Sequence, residues 1–146
     1  MKYKFRGKRK DNGEWVYGSL RYLPVIDLKD GIHNPTEMKC LIQSHQYTWN
    51  NKEERYKFEV YEVIPETAGQ WTGLKDKDGV DIYGGDVCKL IYHSNVIFEV
   101  FFDTGCWSAN PLRDELPVGV GDEMYNYYGE CEVVGNVTDH REILEH

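Results

Sequence analysis

Two cysteine–histidine pairs recur at the same spacing, Cys40 with His45 and Cys88 with His93. Thiolate and imidazole are ligands that zinc takes, and a structural zinc site needs four of them converging on one point. Both pairs fall in segments that read as strands. Side chains five apart on a strand point to opposite faces, so neither pair closes on one ion unless the chain turns between its members. Buried thiols and surface histidines are the favoured reading, and neither a metal nor another cofactor is expected. A second metal-like run, Asp76-x-Asp78-Gly79-x-Asp81, departs from the calcium loop. That loop places glycine sixth and a bidentate glutamate twelfth. Here Gly79 is fourth and Val87 twelfth, so the aspartates read as turn residues that bond nearby backbone amides.

Hydrolytic and nucleotide chemistry find little to work with. Ser44-His45 and His93-Ser94 are neighbours in sequence, which does not create the geometry of a nucleophile and its base. The chain has no Gly-x-Ser-x-Gly elbow and no phosphate-binding Gly-x-x-x-x-Gly-Lys-Ser/Thr loop. Glu130 and Glu132 are two apart and can share a strand face, but acid–base work needs a desolvating pocket around such a pair. An enzyme would have to centre on His45, His93, Glu130 or Glu132. The expectation is a non-catalytic protein.

Two other groups could bind a partner. Lys2, Lys4, Arg6 and Lys8 alternate with apolar residues and form one basic stripe, which could follow a nucleic-acid backbone if Trp15 or Tyr17 stood beside it for stacking. The competing reading, that lysines protect an exposed edge strand, is favoured on charge. The net charge is −8, yet the first ten residues carry +6, leaving −14 on the rest. So acidic a remainder repels phosphate. The second group lies in the run from Pro65 to Val87. Its glycines, Gly69, Gly73, Gly79 and Gly85, read as backbone geometry, and Ile82, Tyr83 and Val87 as core. Gln70, Trp71, Thr72, Asp76 and Asp86 remain as a candidate recognition surface, with the indole as a rigid anchor. A packed Trp71 covering the end of a barrel is the alternative.

These residues need elements to position them. The 146 residues suit one domain, or one built of two lobes, and the aromatic content of 14% supplies large buried areas. No apolar run is long enough for a bilayer, and the basic N-terminus lacks the apolar stretch of a signal peptide. A cytoplasmic setting is the expectation, with Cys40, Cys88, Cys106 and Cys131 reduced. Residues 144–146, Leu-Glu-His, read as the remnant of an appended tag.

Period-two alternation predicts strands over residues 1–8, 57–64 and 96–102. Asp11-Asn12-Gly13 turns the first strand into a second, over 14–22. Residues 23–39 read as loop, 40–43 as a short strand, and the polar stretch 46–55 as either loop or one helical turn. Asp76-Lys77-Asp78-Gly79 reads as a tight turn with Gly79 at positive φ. Strands 87–92, 96–102 and 106–109 form a meander, with Val96, Phe98, Val100 and Phe102 on one face. Residues 113–130 are irregular, and 132–137 close the chain. Together these predict a mostly β protein with long loops and little helix, built as a small bent barrel or a two-sheet sandwich. Gly85-Asp86-Val87 before a meander resembles an element of SH3-like barrels. The organisation is a single domain over 1–143, divisible into an N-terminal β lobe (1–64) and a C-terminal barrel lobe (65–143).

Several segments in order resemble the YopX-like family of phage and prophage proteins. They begin at Phe5-Arg6-Gly7-Lys8 and Gly13-Glu14-Trp15-Val16-Tyr17-Gly18. They are densest at Val63-Ile64-Pro65-Glu66-Thr67-Ala68-Gly69-Gln70-Trp71-Thr72-Gly73-Leu74-Lys75-Asp76 and Asp81-Ile82-Tyr83-Gly84-Gly85-Asp86-Val87, and they finish at Val133-Val134-Gly135-Asn136-Val137. The family usually has an acidic residue where this chain has Gly84. The resemblance implies a mostly β accessory protein of the bacterial cytoplasm, often oligomeric, without an assigned mechanism. The expected function is therefore a self-associating β module that binds a host or phage protein. A nucleic-acid-binding regulator using the basic strand is the alternative.

Overall fold

The computed structural model describes residues 4–25, 37–50, 53–93, 95–117 and 121–143. Lys2 and the tag-like residues 144–146 lie outside them. Ten strands account for most of the described chain, with four short 3-10 turns and no α-helix among the described residues. The sheets are antiparallel and open. The protein is mostly β as expected, but it is not closed into a barrel, which corrects that part of the sequence reading. The chain divides into two compact units, Met1–Gly69 and Gln70–His146.

In the first unit the strands lie in the order β4-β3-β2-β1, with β1 Phe5–Lys8, β2 Trp15–Val25, β3 Glu37–Asn50 and β4 Glu53–Glu62. The expected 40–43 strand is the middle of β3, which is 14 residues long. Of the undecided stretch 46–55, residues 46–50 belong to β3 and 53–55 to β4, paired in a register that runs unbroken from Leu41↔Glu62 to Asn50↔Glu53; residues 51 and 52 lie outside the described residues. Polar residues at 46–55 gave no facing signal; pairing carries these strands past the apolar core. One face buries Cys40, Ile42 and Val63 against Phe5, Val16, Leu20 and Ala68. A lone bridge from Arg9 to Val63 brings the chain after β1 to the end of β4. Lys10 N–H also bonds the Glu62 C=O at 3.0 Å, and among the described residues no strand pairs with the rest of that edge of β4, so the sheet is not closed.

The second unit holds the hairpin of β5 Gly69–Lys75 with β6 Asp81–Tyr83, and a sheet in the order β10-β7-β8-β9. That sheet comprises β7 Asp86–Leu90, β8 Ile97–Asp103, β9 Cys106–Arg113 and β10 Cys131–Asn136. The predicted meander is present, and β9 runs further than expected. Pro111 fits within it because β9 ends the sheet order and the register shifts where Pro111 meets Phe98. Val96, Phe98 and Val100 are buried, and Phe98 packs against Tyr127 with ring centroids 5.8 Å apart. Phe102 shares their parity but is 60% exposed, its ring edge-on to Trp107. It lies near the strand end, beyond the residues that fill the core. The irregular region resolves into two 3-10 turns, Met124–Asn126 and Tyr128–Glu130, and Met124 is fully buried.

Phe98→Ala should cost about 3–5 kcal/mol, because a fully buried ring leaves a cavity that the sheet cannot collapse. Lys10→Ala, which removes one exposed ion pair to Glu62, should stay within about 0.5 kcal/mol of wild type. Urea denaturation followed by circular dichroism compares the two.

Candidate functional site

The signature run builds its geometry from buried carboxylates. Asp76 is 6% exposed. Its Oδ1 accepts the N–H of Asp78 and of Val80, each at 2.9 Å, which closes the turn around Gly79. Its Oδ2 accepts the N–H of Val133 at 3.1 Å, fastening that turn to β10. The backbone adds a bond from Lys77 N–H to Cys131 C=O at 3.0 Å. Gly79 has φ of +80° as expected, and a Cβ there would meet nothing within 4 Å. Asp86 does the same work on the other side of β6. It is buried, and its Oδ2 accepts the Tyr83 N–H at 2.8 Å.

The other signature residues line β5. Thr72 is half-buried; its Oγ1 donates to the Ile82 C=O at 2.8 Å and accepts the Leu74 N–H at 3.1 Å. Trp71 is half-buried and in register with Tyr83. Gln70 is exposed, and its C=O accepts the Gly84 N–H at 2.9 Å. At Gly84 a Cβ would sit 2.8 Å from the Trp107 ring. In this chain an acidic side chain there would have to displace the indole. The polar groups of Thr72, Asp76 and Asp86 thus engage the backbone of their own unit, and Gln70 is the exposed member of the set.

The basic stripe is brought beside aromatic residues, since Arg6 is in register with Tyr17 and Lys8 with Trp15. The Arg6 guanidinium lies 4.7 Å from the Trp15 ring centroid, and the Lys8 Nζ lies 5.7 Å from it. Arg6 is only 8% exposed, Lys8 is half-buried and Lys4 is exposed. The two cysteine–histidine pairs do not converge. Cys40 is in the core and His45 is on the opposite face of β3; Cys88 is buried and His93 exposed. Among the described residues no group of three or more His, Cys, Asp or Glu could hold a metal ion.

The structure brings together two of the four residues named for an enzymatic centre, His93 and Glu130, and it shows an exposed apolar face that was not singled out in the sequence. In the second unit a cleft of about 210 Å³ is lined by Leu90, Tyr92, His93, Asn126, Tyr127 and Glu130. His93 and Glu130 are both solvent-exposed there. In the first unit the face opposite the core carries Tyr56, Phe58 and Val60, which are 55%, 57% and 49% exposed. Register places them across from Tyr47, His45 and Gln43. The Tyr56 ring stands 5.7 Å from His45 and 6.4 Å from Phe58, and Tyr56 hydrogen-bonds His45. Alternation over 57–64 separates the two faces of β4. It does not tell that the face with Phe58 and Val60 is the wet one.

The folded chain is thus a pair of antiparallel β units, the second of which has aspartate-stapled turns within the signature run. It belongs to the YopX family: the family model described as "YopX protein" matches residues 4–145. It is also similar in fold to the crystal structure of protein EF1440 from Enterococcus faecalis, with 20% identity, a TM-score of 0.55 and 99% of each chain covered. No curated protein matches the chain. Among the described residues no helix is long and apolar enough to cross a membrane.

Asp76→Ala strands three backbone amides of the turn and β10, and should lower stability by about 2–4 kcal/mol. Gly79→Val meets no clash yet forces a β-branched residue to positive φ, and should cost about 1–3 kcal/mol. Thermal and urea unfolding measure both; a wild-type midpoint for either variant contradicts the role given to that residue.

Proposed function

We propose that this protein is a non-catalytic phage or prophage accessory module of the bacterial cytoplasm that self-associates and docks a protein partner. The observation that carries this reading is the outer face of the β3–β4 hairpin. Tyr56, Phe58 and Val60 stand side by side there, each about half exposed. Antiparallel sheets often leave one face to water, but such a face is usually polar. A contiguous aromatic patch has the composition of an interface core, where Tyr and Phe are enriched. Of the signature residues Gln70, Trp71, Thr72, Asp76 and Asp86, the three with oxygen-bearing side chains that bond backbone serve their own unit, so we assign recognition to this face instead.

The enzymatic reading has the cleft at His93 and Glu130 in its favour. Both groups face water, and the cleft is smaller than the 300–1,000 Å³ usual for ligand sites. The nucleic-acid reading loses its central cation, since Arg6 is buried against Trp15.

Size-exclusion chromatography with light scattering at tens of micromolar should give a mass of at least twice the 17.1 kDa chain. A Tyr56→Ser/Phe58→Ser variant, folded by circular dichroism, should shift toward 17.1 kDa. A monomeric wild type overturns the self-association; an oligomer unaffected by the double substitution overturns the choice of face.

A further inference from the structure

The two backbone edges of β4 differ. Its inner edge pairs with β3, and the pair Asn50↔Glu53 sets the phase. Register partners three positions apart exchange both of their backbone bonds, and the ladder then alternates. The bonded positions on β4 are therefore 53, 55, 57, 59 and 61. Two observed bonds agree with this phase. The Val63 N–H points inward to the Cys40 C=O, and the Glu62 C=O points outward to the Lys10 N–H, both at 3.0 Å. The backbone groups of Tyr56, Phe58 and Val60 thus face the outer edge. β4 ends the sheet order, so among the described residues no strand pairs there.

An open edge is normally blunted by proline, a bulge or charged side chains; here the charges Arg55, Lys57 and Glu59 carry both signs and can pair across a two-fold. The segment 55–61, Arg-Tyr-Lys-Phe-Glu-Val-Tyr, has no proline, and its pairing with β3 has no bulge. We infer that this edge takes a second copy of the same strand, antiparallel about a two-fold axis at Phe58. This rests on the self-association proposed above and specifies its geometry. About that axis Phe58 meets the partner's Phe58, and Tyr56 meets the partner's Val60. On the other face Lys57 meets the partner's Glu59, and the symmetry repeats the pair.

Charge selects this register. A slip of two residues one way sets Lys57 against the partner's Lys57, one like-charge pair beside two pairs of Arg55 with the partner's Glu59; the other way sets Glu59 against the partner's Glu59 with no opposite-charge pair within the segment. Opposite charges across strands stabilise and like charges destabilise. Beyond residues 55–61 the pairing stops, because Glu54 would meet the partner's Glu62 and because Lys10 already occupies the Glu62 carbonyl. Lys57 and Glu59 are bridged within the chain at 2.7 Å, with both side chains substantially exposed, so the ions are already preset on the correct face. Isologous pairing of one patch with itself closes as a two-fold dimer.

Two arms test the geometry in a Cys106→Ser background, which removes the half-buried thiol. Phe58→Cys should form an intermolecular disulfide under mild oxidation, while Val60→Cys should not, since it stands four residues from its own copy. Lys57→Glu should raise the dimer dissociation constant about tenfold or more, and Lys57→Glu/Glu59→Lys should restore it. Circular dichroism checks that each variant is folded. If the wild type is oligomeric but Phe58→Cys fails to crosslink, or Val60→Cys crosslinks equally well, the edge pairing is wrong while self-association stands. A monomeric wild type removes both.

Discussion

Three backbone N–H groups converge on the buried carboxylate of Asp76, and the second unit is organised around that meeting. A carboxylate withdrawn from water is costly unless its oxygens are filled. Here two come from the turn that begins at Asp76 and one from the strand that ends the chain's regular structure. The first two close the turn on itself; the third requires β10 in place, and β10 pairs with β7 alongside. Asp86 repeats the device beyond β6. The dense glycine and aspartate content of the signature is thus explained by backbone geometry held from within.

That inward role contrasts with the first unit. Among the described residues its core centres on Cys40, Ile42 and Val63 with partly buried neighbours. The second unit packs a larger cluster around Phe98, Val100, Met124 and Tyr127. A sheet with an aromatic outer surface buries less of its own apolar area than it could. Each additional apolar Å² removed from water is worth about 25 cal/mol, so covering this face has a real driving force. The division is consistent with one unit serving mainly as a packed scaffold and the other as a contact surface.

Much of the architecture was legible in the chain. Alternation located β4 and β8, and Asp76-Lys77-Asp78-Gly79 announced its turn and its positive φ. What failed depended on distant residues. Residues 46–50 and 53–55 are held as strands by their pairing, and a polar strand carries no mark of which face is wet. Phe102 follows the parity of Phe98 and Val100 but lies beyond the residues that close over them. Whether a sheet closes depends on where strand ends meet, and among the described residues that meeting is confined to residues 8–10 with 62–64. For the candidate site, Asp76 and Asp86 were recognised as special, but their partners, such as Val133 far along the chain, were not visible. The aromatic patch went unnoticed because Phe58 and Val60 look like core residues in sequence.

The thiols give each unit its own chemical clock. Cys40 is buried in the first unit, and burial pushes its pKa up. Cys88 and Cys131 are buried in the second, where a hydrogen bond between them, and then burial, push the Cys88 thiol up. Burial shields Cys40, Cys88 and Cys131 from alkylating reagents until the surrounding strands part, and at Cys40 and Cys88 the raised pKa also disfavours the reactive thiolate. Cys106, only half-buried, does not wait for that event. Timed alkylation with mass readout would therefore separate the breathing of one unit from that of the other in a single sample, without an engineered cysteine.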